Sequence, residues 1–232
     1  MKILGIIPAR RGSKGVAKKN SKLLKGKPLI SYTIEAALNS KLVTDIIVSS
    51  DNEAILAIAN SYKNIKVVKR PKELATDESP TISTVIHAIE FLKENGNEYD
   101  AICLLQPTNP FRTSSFIDEA ILKFEETQKD CLVSVLEVPH QFNPHWVFEK
   151  KNNGNIEIST GDKEIITRRQ ELPKCYYRDG AIYLTKMSVL QNRKSFFGEK
   201  LGFIVSDSTF HVNIDSLDDW LKAEKMIIKL GI

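Results

Sequence analysis

The sequence predicts an α/β fold, with a mostly parallel sheet covered by helices on both faces and an inserted arm. Three observations predict it. Short apolar runs alternate with segments of helical period as far as Pro139. Those runs are apolar throughout rather than alternating, as strands buried on both faces are. Beyond Pro139 the long helical period stops, and regular signals return only near Ala181.

Each element has a local reason. ILGIIP, from Ile3, is a buried strand stopped by Pro8. PLISYTIEAALNS is a helix, with Pro28 placed for its first turn. DIIVSSD is the second strand and ends at Asp51. NEAILAIANSY is a helix with Ile55, Ile58 and Ala59 on one face. IKVVKRP is the third strand, stopped by Pro71. SPTISTVIHAIEFLKEN is a helix with Ser79 as N-cap and Pro80 in its first turn. DAICLLQPTNP is a buried strand running into a proline-rich turn, followed by the helix SSFIDEAILKFEETQ and the strand CLVSVLEV. Residues 139–178 carry short β-like pieces and turn signals at Asn153-Gly154 and Gly161-Asp162, which read as an arm. AIYLTK, LGFIVS and HVNID then read as strands. The last helix, SLDDWLKAEKMIIKL, has Ser216 as cap and acids in its first turn.

Composition excludes several classes. The 232 residues are 42% hydrophobic and 27% charged, ordinary values for a globular protein. A net charge of +4 is too mild to argue for nucleic-acid binding without a recognisable module. The excess is partly local, because no Asp or Glu occurs in the first 27 residues. Cys103, Cys131 and Cys175 are far apart, and no histidine pattern completes a zinc site. Cys103 and Cys131 lie in apolar runs and read as core thiols. The run ILGII is too short for a signal peptide, and no segment approaches the ~20 apolar residues of a membrane span, so a cytoplasmic location is expected.

Ligands of parallel sheets bind beyond the carboxyl ends of the strands. That rule gathers the loops 8–20, 49–52, 70–81 and 106–112 at one place. In the first, Gly12 and Gly15 permit tight turns that expose backbone N–H groups. Arg10, Lys14 and Lys19 can surround an anion, and Ser13 can donate to it. The stretch meets neither G-x-x-x-x-G-K-[ST] nor G-x-G-x-x-G, so a solvated basic loop is the competing reading. Asp51 suits a magnesium ion, which takes one or two carboxylates with phosphate oxygens and water. It suits equally well the cap of the next helix. Arg70 and the backbone near Ser79 can read a nucleobase edge, or can simply form a connection. In LLQPTNPFR, Pro107 and Pro110 stiffen a turn that presents Gln106, Thr108 and Arg112. Arg112 can take a carboxylate as a fork or pair with an acid on the following helix. Asp215 is a second candidate metal ligand, with capping as its alternative.

In this order, the segments IPARRGSKGVAKKN, VSSD, RPKELATDESPTIS, LLQPTNPFR, RRQELPKCYYRDGAIY and NIDSLDDWLKAE resemble the acylneuraminate cytidylyltransferase (CMP-sialic acid synthetase) family, in its bacterial, nonulosonic-acid-activating form. The resemblance spans nearly the whole chain. It implies a Rossmann-like nucleotide-binding sheet in a single nucleotidyltransferase domain, residues 1–232, with 139–178 as a dimerisation arm. It implies transfer of CMP from CTP to the anomeric hydroxyl of a sialic-type sugar acid, giving the CMP-sugar and pyrophosphate. Mg²⁺ is the implied cofactor, a homodimer the implied assembly, and cell-surface glycan biosynthesis the implied setting. No nucleic acid or membrane partner is implied. The sugar is N-acetylneuraminic, legionaminic or pseudaminic acid. The eight-carbon acid KDO, and a nucleotide-binding regulatory paralogue without turnover, are the alternatives.

The resemblance also assigns residues by position. Arg10, Gly12, Ser13, Lys14 and Lys19 hold the triphosphate, and Arg10, Lys14 and Lys19 are its catalytic cations. Asn20, Arg70, Ser79 and Thr81 read cytosine and ribose. Gln106 and Thr108 meet the sugar acid, together with Arg169, Gln170 and Tyr183. Arg169 is expected to reach the sugar carboxylate across the subunit interface. Asp215 and Asp51 hold the metal. Two positions depart from the family pattern: Asn213 stands where an Asp is usual, and Asp179 where an Asn is usual. The first weakens a metal ligand. The second places a carboxylate that either repels a carboxylate ligand, unless a cation or Arg178 offsets it, or accepts hydrogen bonds from sugar hydroxyl or acylamino groups.

Overall fold

The computed structural model describes residues 1–231. Its strands are β1 (Ile3–Pro8), β2 (Leu23–Leu24), β3 (Lys27–Pro28), β4 (Asp45–Ser50), β5 (Ile65–Lys69), β6 (Ala101–Leu104), β7 (Cys131–Glu137), β8 (Phe148–Lys150), β9 (Ile156–Ile158), β10 (Tyr176–Lys186) and β11 (Leu201–Val205). Its helices are α1 (Leu29–Leu38), α2 (Glu53–Asn60), α3 (Thr81–Glu94), α4 (Ser114–Thr127), α5 (Met187–Arg193) and α6 (Leu217–Leu230).

Seven strands form the central sheet in the order β11-β7-β10-β6-β1-β4-β5. All are mutually parallel except β10, which runs antiparallel to both β6 and β7. The chain moves outward from β1 to β4 and β5, then returns to the other side of β1 as β6. Strand order therefore reverses between β1 and β6, and a crevice opens there at the carboxyl ends.

Side-chain alternation divides the core. Ile3 and Ile7 of β1 face Ile30 and Ile34 of α1, Ile55 of α2 and Phe124 of α4. Leu4 and Ile6 face the opposite way, toward Val85 and Leu92 of α3 and Leu190 of α5. A third cluster lies outside the sheet. It joins Val16, Leu24 and Leu29 from early in the chain to Val212, Ile214, Trp220 and Ile227 from late in it.

Several local readings need correction. Thr81 begins α3, with Pro80 at the cap position and no side-chain cap bond, so Ser79 does not cap it. The Ser79 hydroxyl instead donates to the Glu73 carbonyl at 2.7 Å. Asn52 rather than Asp51 caps α2, accepting from the N–H groups of Ala54 and Ile55. HVNID is not a strand. It is an extended run tied by the Ile214 N–H to the Thr108 carbonyl at 2.8 Å. The small hairpin β2–β3 and the helix α5 are further elements that the apolar periodicity did not predict. Between β7 and β10 lie short 3₁₀ turns and the hairpin β8–β9, folded about the Asn153-Gly154 turn. β10 already begins at Tyr176, because Tyr176–Arg178 pair with β7 before the register shifts between Arg178 and Tyr183.

The start of α6 is closed from both sides. The Ser216 hydroxyl accepts from the Asp219 N–H, and the Asp219 carboxylate accepts from the Ser216 N–H at 2.8 Å, which makes a capping box. Burial opposes ionisation of Asp219. Its bonds from Ser216 and Asp215 outweigh that and hold it below the ordinary carboxylate value. A depressed carboxylate contributes stability above its unfolded pKa, and that contribution is lost as pH falls through the folded value. Ser216→Ala is expected to cost about 1 kcal/mol in urea unfolding at neutral pH. Asp219→Asn should flatten the fall in stability between about pH 4 and the lower folded pKa. A pH profile in that window unchanged by the substitution would exclude this role.

Candidate active site

The loops after β1, β5 and β6, with the segment before α6, enclose a cavity of 410 Å³ at the crevice. Arg10, Gly12, Ser13, Lys19, Asn20, Arg70, Ser79, Thr81, Gln106, Thr108 and Asp215 line it together. These residues come from four segments spread over more than 200 positions, and the topology brings them to one end of the sheet.

The loop after β1 is held by the late chain. The Lys19 side chain is buried, and its Nζ donates to the Ile214 carbonyl at 2.6 Å and to Asp215 Oδ1 at 3.0 Å. A Cβ on Gly15 would lie 1.7 Å from the Asp215 carbonyl oxygen, so only glycine allows the approach. Val16 packs beside Ile214 and Trp220. Asn20 folds the loop on itself, donating through Nδ2 to the Arg10 carbonyl at 3.0 Å. No such constraint acts at Gly12, where a Cβ would meet only Arg10 Nη1 at an ordinary 3.9 Å.

Arg70 is buried and aimed by the end of β4, with Nη2 donating to the Ser49 carbonyl at 2.8 Å and Nε to Ser49 Oγ at 3.3 Å. Burial lowers its guanidinium to about 10, against the opposing pull of Asp51. It remains a cation at neutral pH. Lys14 is exposed and does not line the cavity. Its Nζ lies 3.3 Å from Asp77 Oδ2, while Arg10 Nη1 lies 2.5 Å from Asp77 Oδ1. Hydrogen bonds from Arg10 first, and then from Lys14, hold the Asp77 carboxyl below its ordinary value.

Other expected residues lie elsewhere. Asp51 does not line the cavity, and its Oδ1 accepts from the Arg11 N–H at 2.7 Å, bracing the first loop. Asp51 and Asp215 are therefore not presented as a pair to one ion. Among the described residues no three His, Cys, Asp or Glu side chains cluster as a metal site. Two carboxylates line the cavity: Asp77 is engaged by Arg10 and Lys14, which leaves the more exposed Asp215. Its Oδ2 accepts from Asn213 Nδ2 at 2.6 Å, and the buried Asn213 Oδ1 has no partner. One carboxylate with phosphate oxygens and water fits a hard divalent cation.

Tyr183 is buried in the core beside Leu104 and Val133, 6.2 Å from the ring of Phe196, and does not reach the cavity. Alternation along β10 puts it on the α3–α5 face. Arg169 and Gln170 sit exposed on a 3₁₀ turn of the arm, where Arg169 borders a separate 320 Å³ cavity with Glu137, His140 and Lys174. Arg112 neither lines this cavity nor pairs with an acid of α4. It is buried, donates to the Ala181 carbonyl at 2.6 Å and to Thr33 Oγ1 at 3.1 Å, and pins the 106–112 turn to the sheet. Asp179 is also internal. It accepts from Ser134 Oγ at 2.5 Å, from the Ala181 N–H at 2.9 Å and from the Ser206 hydroxyl, so its carboxylate is not free for a sugar. Sequence reasoning missed Leu74, Thr76, Asp77 and Thr84 as cavity residues. The one signal for Asp77 was an acid opposite an acid-free basic loop.

A parallel sheet with a switch-point crevice, walled by a glycine-dependent basic loop, a buried arginine and the carboxylates of Asp77 and Asp215, defines a nucleotidyltransferase. The family profile described as "Cytidylyltransferase" matches residues 4–225, and the chain belongs to that family. It is 35% identical over 228 residues to the CMP-N,N'-diacetyllegionaminic acid synthase of Legionella pneumophila, covering 98% of this chain and 97% of that protein. It is also 35% identical over 223 residues to the N-acylneuraminate cytidylyltransferase of Escherichia coli, covering 94% of this chain and 50% of that protein. The chain thus spans half the length of the Escherichia coli relative. A solved structure of CMP:2-keto-3-deoxy-manno-octonic acid synthetase complexed with CTP shares the fold, with a TM-score of 0.74 over 99% of this chain and 100% of that one, at 15% identity.

Gly15→Ala is expected to force the first loop off the Asp215 segment. It should lower the thermal midpoint by several degrees, roughly the effect of a 1–3 kcal/mol loss in a domain of this size. It should also weaken CTP binding measured by calorimetry. Wild-type affinity in Gly15→Ala would show that the close approach is not needed.

Proposed function

We propose that the chain transfers CMP from CTP to the anomeric hydroxyl of a sialic-type nonulosonic acid. The observation that carries this reading is the cavity itself, which gathers the phosphate-type donors Arg10, Ser13 and Lys19 with Gln106 and Thr108. Arg10, Ser13, Lys14 and Lys19 are assigned to the triphosphate, with the N–H of Gly12. Asn20, Arg70, Ser79 and Thr81 are assigned to cytosine and ribose, and Gln106 and Thr108 to the sugar acid.

In the reaction, the anomeric hydroxyl gives its proton to solvent as its oxygen bonds to the α-phosphorus, and the bond from that phosphorus to the bridging oxygen of the β-phosphate breaks. Pyrophosphate leaves with the electron pair. Phosphoryl transfer of this kind asks the protein for alignment and charge neutralisation more than for covalent chemistry. Lys19 suits that task, because its burial fixes the ammonium before substrate arrives. Mg²⁺ held at Asp215 would neutralise charge on the phosphate oxygens when bound. The names of the relatives support a nonulosonic acid as acceptor.

The arm, 139–178, is assigned to a homodimer in which Arg169 and Gln170 approach the partner's sugar site. Their exposure leaves them available for that role. No helix among the described residues is long and apolar enough to cross a membrane, which accords with a cytoplasmic site of action.

Pyrophosphate release with CTP and Mg²⁺ tests the reading against N-acetylneuraminic, legionaminic and pseudaminic acids and KDO, with GTP in parallel. Release with CTP and one nonulosonic acid is the expected result. Release with KDO alone would replace the acceptor, and silence with CTP binding intact would favour a regulatory paralogue. Lys19→Ala is expected to lower turnover roughly 10²–10³-fold with the circular dichroism spectrum unchanged. Near-wild-type turnover at saturating CTP would remove its catalytic role. Arg169→Ala should raise KM for the sugar acid and leave KM for CTP unchanged, and a monomeric variant with full rate would refute the cross-subunit contact.

A further inference from the structure

We propose that Asp77 is an internal stand-in for nucleotide phosphate, which occupies the Arg10 and Lys14 cations until CTP displaces it. The inference rests on the assignment of those cations to the triphosphate.

Asp77 bridges both cations, with one carboxylate oxygen on each, at 2.5 Å and 3.3 Å. A carboxylate in that position sits where an anionic ligand must sit to use the same donors. The two cannot share it, because like charges in contact repel. Asp77 and Arg10 both line the cavity while Lys14 stands outside it, so the exchange takes place at the cavity's edge.

The segment carrying Asp77 is folded on itself. The Ser79 hydroxyl reaches the Glu73 carbonyl, Thr76 Oγ1 and Ser79 Oγ lie 2.7 Å apart, and the Leu74 and Ala75 N–H groups close onto Pro71 and Lys72. Ser79, assigned to cytosine and ribose, is thus tied by hydrogen bonds to the segment that carries Asp77. Among the described residues its acidic neighbours Glu73 and Glu78 form no ion pair, so the bridge is particular to Asp77 and not a property of an acidic loop.

The exchange has a function in turnover. It keeps the clustered cations of the first loop neutralised when no nucleotide is bound. It also weakens the hold on the pyrophosphate product, because Asp77 competes for the same cations. Asp77 therefore trades affinity for product release and favours ligands with enough negative charge to displace it.

The test is titration calorimetry of CTP and of pyrophosphate, in EDTA and again in Mg²⁺, on wild type, Asp77→Asn, Asp77→Ser, Asp77→Glu and Glu78→Gln. Asp77→Asn and Asp77→Ser are expected to bind both ligands roughly three- to thirty-fold more tightly, the yield of freeing two partly exposed pairs. Pyrophosphate inhibition should deepen in parallel. Asp77→Glu should restore near-wild-type affinity, and Glu78→Gln should stay within about two-fold of wild type. Unchanged or weaker binding in both Asp77 variants overturns the inference, as does an equal gain in Glu78→Gln. Tighter binding in EDTA with loss of the Mg²⁺-dependent gain would make Asp77 a metal ligand instead, and also overturns it. Wild-type protein that binds neither ligand overturns the nucleotide assignment itself.

Discussion

The buried ammonium of Lys19 is the interaction on which the site depends. It reaches across 195 residues to the Ile214 carbonyl and touches the Asp215 carboxylate. An ammonium taken out of water needs its hydrogen bonds satisfied, and here backbone and carboxylate supply them. In return the late segment is fixed beside the glycine-dependent loop, and Asp215 is aimed at the cavity. One amine thus sets the position of the anion-binding loop, the Asp215 carboxylate and the entry to α6.

The sheet supplies the rest of the geometry. Reversal of strand order between β1 and β6 splays the loops apart and leaves a crevice, as in other open parallel sheets. Arg112 and Asp179 take no part in that crevice, yet both hold it in shape. Arg112 spends its guanidinium on the Ala181 carbonyl and Thr33, locking the proline-stiffened turn that presents Gln106 and Thr108. Asp179 gathers Ser134 and Ser206 beside it. Gly180, with φ of +81°, follows at the irregular part of β10, and a Cβ there would crowd Gln106 Oε1 at 3.3 Å. The Asp at 179, unusual against the family pattern, is thus part of an internal network behind the Gln106 turn.

Much of the fold was legible because buried parallel strands and amphipathic helices carry their own periodicity. β1, β4, β5, β6 and β7 read directly as apolar runs, and α6 announced its start through Ser216 and the acids that follow it. HVNID misled, because its apolar residues Val212 and Ile214 are buried against α6 and not within a sheet. Places in the cavity were legible where motif and loop position coincided, as at Arg10, Lys19, Arg70 and Gln106. Tyr183 and Asp51 were not, since their placement depends on strand facing and on which of two neighbouring residues caps a helix. Asp77 escaped for a different reason: its role comes from an ion pair between loops, and no local pattern encodes that.

The third hydrophobic cluster joins Val16, Leu24 and Leu29 to Val212, Trp220 and Ile227. Consider the chain as it emerges from the ribosome. The first loop, with its arginines and lysines, is made almost at once, but its packing partners are translated some 200 residues later. Until then the loop has neither Trp220 to cover Val16 nor Asp215 to receive Lys19. Contacts so distant in sequence close late and slowly. A growing chain therefore holds β1, β4, β5 and β6 long before Asp215 and α6 are made, and the pocket is closed only with the last part of the chain.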